Sequence, residues 1–281
     1  MAVTSQLAPA GSALAATFAW GVSDFIGGNA SRRTNAFLLT TIAHASGATF
    51  MAVLAILFHS TLPTEHDRLW AMAAGVFAGA ALAVFYRALS RGNMGLTAPI
   101  SAVLGAALPT VFAIFTEGMP GPARIVGFIS ACIGIWLISR SEGPEGRPHG
   151  LSMAFLAGIG FAGYFLCIKE AGDGSVFWLA AISRFVSFLT TAAIVLAARQ
   201  FRPMNRSGIA WGIAAGVLDI SGSAMFIHAS QTGRLDTAVL ISSMYPAITV
   251  LLARFFLNEH FSRWKIVGLL AALLAVPMIA R

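Results

Sequence analysis

Long apolar runs broken by short polar clusters dominate the pattern of this chain. They do not alternate with period two, so they read as helices rather than strands of a barrel. Each is long enough to cross a hydrocarbon core about 30 Å thick, which takes roughly 20 apolar residues. Ten such segments are predicted, near residues 12–30, 35–58, 68–90, 95–116, 123–139, 151–168, 175–198, 208–230, 236–257 and 264–280. The longest polar breaks are Ser60–Leu69, Ser141–Gly150 and Gln200–Ser207. None can hold a nucleotide-binding domain, so direct drive by ATP is not expected.

The pattern repeats. Trp70-Ala71-Met72-Ala73-Ala74-Gly75-Val76 aligns with Trp211-Gly212-Ile213-Ala214-Ala215-Gly216-Val217, an offset of 141 residues (211 − 70). Ala83/Ala224, Phe85/Phe226, Ala88/Ala229 and Gly92/Gly233 follow in the same register, giving nine identities over 23 positions. Ser101/Ser242 and Ile125-Val126-Gly127/Ile266-Val267-Gly268 extend it. Five helices per half, 1–140 and 141–281, force the second half into the membrane upside down. The expected fold class is therefore an all-α membrane protein of about ten transmembrane helices in two inverted five-helix repeats. Inverted repeats are a common plan of secondary transporters, with the substrate site near the midplane between the halves.

Composition strengthens the membrane assignment. Only 10% of residues are charged against 57% hydrophobic, and mean hydropathy is +0.79. A water-facing surface needs roughly 25% charged residues. The net charge of +7 does not imply nucleic acid, because the basic residues stand singly or in pairs at helix ends. Residues 1–11 lack Lys and Arg, so the first helix reads as an uncleaved span. Cys132 and Cys167 lie in apolar helices and suggest neither disulfide nor metal. The six histidines show no ligand spacing, and no cofactor is expected. Gly158-Ile159-Gly160-Phe161-Ala162-Gly163 spells a dinucleotide fingerprint, but inside an apolar helix it reads as close packing. Gly75 and Gly79 read the same way, as a small-residue contact.

The residues around the repeat resemble a known family. Ala88-Leu89-Ser90-Arg91-Gly92, Ala98-Pro99-Ile100-Ser101, Pro109, Glu117 and Gly127 are similar to the repeat of the EamA family, in the drug/metabolite transporter (DMT) superfamily. The second copy resembles it more closely, in Ala229-Ser230-Gln231-Thr232-Gly233, Ala238, Tyr245-Pro246, Phe256-Leu257-Asn258-Glu259 and Gly268. Trp20-Gly21-Val22-Ser23-Asp24-Phe25 is similar to the family's first helix. The resemblance implies export or exchange of small metabolites or drugs without ATP, often coupled to protons, by a multi-pass protein of the cell (inner) membrane. The expected partners are a small-molecule substrate, protons and the lipid bilayer, with no nucleic acid; a homodimer is left open.

Charges within spans are expensive and mark function by default. Asp24, Arg184 and Asp219 meet that description. A carboxylate there binds a cationic group or a proton, and Arg184 an anionic group; the structural alternative is a buried ion pair between Arg184 and one aspartate. Trp20, Tyr86, Tyr164 and Tyr245 offer apolar walls with polar tips, and of the tyrosines Tyr164 and Tyr245 are favoured. Ser242 and Ser243 face the cavity or bond their own helix backbone. Pro246, beside Tyr245, is the preferred hinge. His44 and His228 lie in spans, where a structural role outweighs a proton relay.

Counting basic residues by loop puts Arg68, Arg124, Lys169, Arg234 and Arg281 on one face, against twelve on the other. The positive-inside rule makes the richer face cytoplasmic and both termini external, whereas the family resemblance implies the reverse; the charge count is preferred here. An enzyme acting on a lipid-linked substrate is the alternative of a different class. It would carry clustered acids or histidines at a helix end, of which Glu142 and Glu145 are a poor version. A structural or regulatory membrane protein is a third, disfavoured by the repeat and the mid-span charges.

Overall fold

The computed structural model describes residues 7–90, 94–138, 151–200, 203–257 and 262–279, and among them every element is a helix. In chain order these are α1 (Leu7–Ser31), α2 (Ala36–Leu57), α3 (Glu65–Ser90), α4 (Met94–Glu117), α5 (Pro122–Ile138), α6 (Leu151–Glu170), α7 (Val176–Ala197) and α8 (Arg206–Thr232). They continue with α9 (Leu235–Ser242), α10 (Tyr245–Leu257) and α11 (Arg263–Ile279). Among the described residues, six segments are long and apolar enough to cross a membrane: Ala36–Leu57, Glu65–Ala88, Ser152–Glu170, Val176–Ala197, Arg206–Thr232 and Leu235–Phe256. Ser101–Glu117 and Pro122–Leu137 are shorter apolar helices. The 25-residue α1 is not among the six, since Thr17, Ser23, Asp24 and Asn29 interrupt its apolar run.

Helix starts follow local chemistry. The Asn35 side chain accepts from the backbone N–H of Phe37 and Leu38 to open α2, and Asn205 accepts from Gly208 to open α8. The ninth predicted segment is not continuous. Pro246 has no N–H to bond the Ser242 carbonyl, so α9 stops at Ser242 and α10 starts at Tyr245 with Pro246 in its first turn. The backbone groups freed by the break are partly recovered. The Ile241 carbonyl accepts from the Met244 N–H (3.1 Å) and from the Thr17 hydroxyl of α1 (2.7 Å).

The packing has an internal symmetry. α1 lies against α8 and α6 against α3; α2 lies against α8 and α7 against α3. α1 also meets α9 and α10, and α6 meets α4, while α2–α7 and α5–α11 pair across the two halves. Exchanging the helices of one half for those of the other maps each contact within this set onto its counterpart, and the α2–α7 and α5–α11 pairs onto themselves. Close approach depends on paired glycines at the repeat offset. A Cβ at Gly75 would collide with the Ser183 carbonyl of α7, and one at Gly216 with the Ala43 carbonyl of α2. Gly158 packs the same way against α4, where a Cβ would lie 2.7 Å from Leu104 Cβ.

Candidate functional site

The interior helices carry their polar groups inward. Ser101, Ser183, Ser187, Ser223 and Thr191 are buried, several bonded to helix carbonyls as lipid-embedded hydroxyls must be. Around them lies a cavity of about 50 Å³ lined by α1, α3, α4, α6, α7 and α8 and by the α9–α10 break. Six of the seven predicted binding residues line it: Trp20, Asp24, Tyr164, Arg184, Asp219 and Tyr245.

Ser242 does not. Its hydroxyl is turned towards the Ala13 carbonyl of α1 at 3.4 Å, and the next residue, Ser243, takes the cavity position. Pro246, the predicted hinge, is the second residue of α10, just past the α9–α10 break.

Arg184 on α7 and Asp219 on α8 form an ion pair, Nη2 to Oδ2 2.8 Å. Arg184 Nη2 also donates to Ser223 Oγ at 2.6 Å, and the guanidinium sits 5.8 Å over the Tyr164 ring. The Trp20 indole N–H donates to the Asp219 carbonyl at 3.0 Å, fixing α1 to α8 beside the pair. Trp20, Phe165, Phe226, Tyr164 and Tyr245 make a connected aromatic wall, with centroids 4.7 to 6.4 Å apart. Asp24, on the same cavity, takes a hydrogen bond from Tyr86 and lies within electrostatic reach of Asp219. Thus Asp219 has a cationic partner in the cavity wall, and the partner of Asp24 is a neutral hydroxyl.

Two buried donors on the cavity wall, Arg184 Nε and Tyr164 Oη, have no partner among the described residues. Both ring nitrogens of fully buried His44 on α2 are likewise unpartnered, and Arg184 is the charge acting on it. His228 is exposed. A volume of about 50 Å³ admits a few waters at roughly 10–15 Å³ each. It falls short of the ~300 Å³ typical of sites that take a drug-sized ligand.

Sequence reasoning ranked Tyr86 below the other tyrosines, yet it is 1% exposed and serves Asp24. It missed Ser223, although Ser223 follows Asp219 by four residues and therefore shares its helix face. It also left Glu117, Lys169, Arg234 and Asp236 as a motif residue, two face charges and an unremarked acid, where the structure joins them. Lys169 Nζ lies 3.4 Å and Arg234 Nε 3.8 Å from Glu117, and Arg234 Nη2 is 2.7 Å from Asp236.

A bundle of apolar helices with charged groups gathered at an interior cavity defines a polytopic membrane protein built around a small polar site. The model of the EamA-like transporter family matches residues 9–140 and again 148–281. The chain belongs to that family, and with it to the DMT superfamily of multi-pass membrane transporters. An uncharacterized protein (MJ1333.1) of Methanocaldococcus jannaschii is 25% identical over 133 residues, covering 47% of this chain and 93% of the relative. Nearly the whole of that relative thus matches about half of this chain. A solved crystal structure at 16% identity superposes with a TM-score of 0.76 over 96% of this chain and 95% of the other, which speaks to the fold alone.

Proposed function

We propose that this protein is a secondary transporter, an exporter or exchanger of small metabolites or drugs, working by alternating access in the cell (inner) membrane. Ten spanning segments, with α9 and α10 as one broken span, form two inverted halves, 1–140 and 141–281. Substrate binds between them on Asp24, Arg184, Asp219, Trp20, Tyr164 and Tyr245, and Pro246 is the hinge. The observation that carries the reading is that both halves supply charged groups to one interior cavity: Asp24 from the first, Arg184 and Asp219 from the second. A wall shared between two halves is remodelled whenever they move, which is what alternating access requires.

Asp24 is the group proposed to take a coupling proton or the cationic end of a substrate. A carboxylate in an apolar cavity with only a neutral partner is relieved of its desolvation cost by either. The unpartnered donors Arg184 Nε and Tyr164 Oη would meet acceptor atoms of the cargo, since a buried donor left unpaired costs about 1–3 kcal/mol.

The test is flux of a metabolite panel in proteoliposomes, with and without a pH gradient. Saturable movement of at least one solute, lost in Asp219→Asn, is expected. Absence of movement of every solute, or wild-type rates in that variant, would remove the proposal.

A further inference from the structure

The α9 helix is eight residues long, and all eight, Leu235–Ser242, are buried, including Asp236 and Thr237. Its first end meets the Glu117 face of the protein, and its last end leads into Ser243 and Tyr245 on the cavity wall. At 1.5 Å per residue it spans about 12 Å between the two. The seam it closes is ionic. Arg234 donates from Nη1 to the Glu117 carbonyl and from Nη2 to the Gly118 carbonyl, both at 2.9 Å. The Glu117 carboxylate accepts from the Leu235 N–H at 3.2 Å and from Lys169, whose Nζ also donates to the Ser230 carbonyl at 3.2 Å. Side-chain hydrogen bonds to Asp236 hold the Arg234 guanidinium pKa above its ordinary value, so it is a cation at any working pH.

Formal charge divides this cluster in two. Arg234, the N-cap of α9, and Asp236 in its first turn, 2.7 Å apart, are neutral together. Glu117 and Lys169, 3.4 Å apart, belong to α4 and α6 and are also neutral together. The ion pair across the seam, Arg234 to Glu117, is the longest at 3.8 Å. Separation at this seam breaks the Arg234 bonds to the Glu117 and Gly118 carbonyls and the Leu235 N–H bond to Glu117. But it parts two compensated pairs instead of stranding bare charges, and water reaches the partly exposed Arg234, Glu117 and Lys169 side chains.

We propose that α9 is a gate over the cavity on the Glu117 face, closed here, and that Arg234–Asp236 and Glu117–Lys169 are a two-pair latch built to part reversibly. The gate swings at Ser243–Pro246. The inference rests on the cavity being a transport site, and its test reads access without flux, so failure of transport and failure of the latch are distinguishable.

The experiment uses the full chain in membrane vesicles, with Cys132→Ser, Cys167→Ser and Ser243→Cys, and a membrane-impermeant maleimide. Met119→Cys, 75% exposed in the loop after α4, identifies the vesicle side that bears Glu117. Glu117→Gln leaves Lys169 and Arg234 facing each other, and is expected to raise labelling from that side about tenfold. Asp236→Asn leaves Arg234 uncompensated whenever the seam parts, and is expected to slow labelling about threefold. General loosening would raise both rates. Rates that move together, or an unchanged rate in Glu117→Gln, overturn the latch. If Asp236→Asn does not assemble, Lys169→Gln takes its place with the same expected slowing, because it strands Glu117.

Discussion

Arg184 and Asp219 meet at 2.8 Å between α7 and α8, with Ser223 one turn beyond Asp219 accepting a second bond from the same Nη2. The pair is both a clamp between two helices and a wall of the cavity. Its two roles separate under mutation, because a clamp is judged by stability and a binding wall by flux.

Removing one partner of a buried pair leaves the other charge uncompensated, at a cost of about 3–5 kcal/mol, whereas removing both can be nearly neutral. Arg184→Ala is therefore expected to lower the Tm of the purified protein more than Arg184→Ala with Asp219→Ala does. Thermal unfolding in detergent, followed by size-exclusion profile, measures this. Equal or greater loss in the double variant would speak against a mutually compensating pair.

Asp24 and Asp219 share a cavity but have different partners, so their amides should behave differently. Asp219→Asn, which leaves Arg184 without its counter-charge, is expected to abolish flux while folded protein remains in the membrane. Asp24→Asn, which removes a carboxylate hydrogen-bonded to Tyr86, is expected to leave stability close to wild type and remove the response of flux to a pH gradient. Transport assays with matched protein amounts decide both. A pH response that persists in Asp24→Asn assigns the coupling elsewhere.

Thr17→Val replaces a hydroxyl by a methyl of similar size, so the Ile241 carbonyl at the α9–α10 break loses its 2.7 Å donor. The Met244 N–H still bonds that carbonyl, so the loss is one hydrogen bond, worth about 0.5–1.5 kcal/mol. The expected result is a lower Tm and faster amide exchange within Leu235–Ser242, with Ala36–Leu57 unchanged, read by hydrogen–deuterium exchange. Uniform exchange across both segments would mean the bond does not hold the break.

Gly75 and Gly216 occupy equivalent repeat positions and each lies against a neighbouring helix backbone. Forcing a side chain into such a contact costs typically about 1–3 kcal/mol, more where backbone must move. Gly75→Val and Gly216→Val are each expected to cut the yield of monodisperse protein severalfold. Gly11→Ala, at a position with nothing within 4 Å of its Cβ, is the matched control and should leave the yield unchanged.

The sequence by itself determined the membrane assignment, the family and the residues too costly to be buried without purpose. Those properties are local or periodic. Lipid solvation demands long apolar runs, a repeat shows as identities at constant offset, and Asp24, Arg184 and Asp219 stand out against any apolar background. Only the tertiary structure decided who meets whom. That Arg184 takes Asp219 and Asp24 takes Tyr86, that Ser243 and not Ser242 reaches the cavity, and that Glu117 joins Lys169 and Arg234 all depend on how helices distant in sequence are rotated and brought together. Hydropathy is blind to rotation about a helix axis. Side-chain packing sets that rotation, through contacts such as Gly75 on Ser183 and Gly216 on Ala43 that form only when both helices are in place.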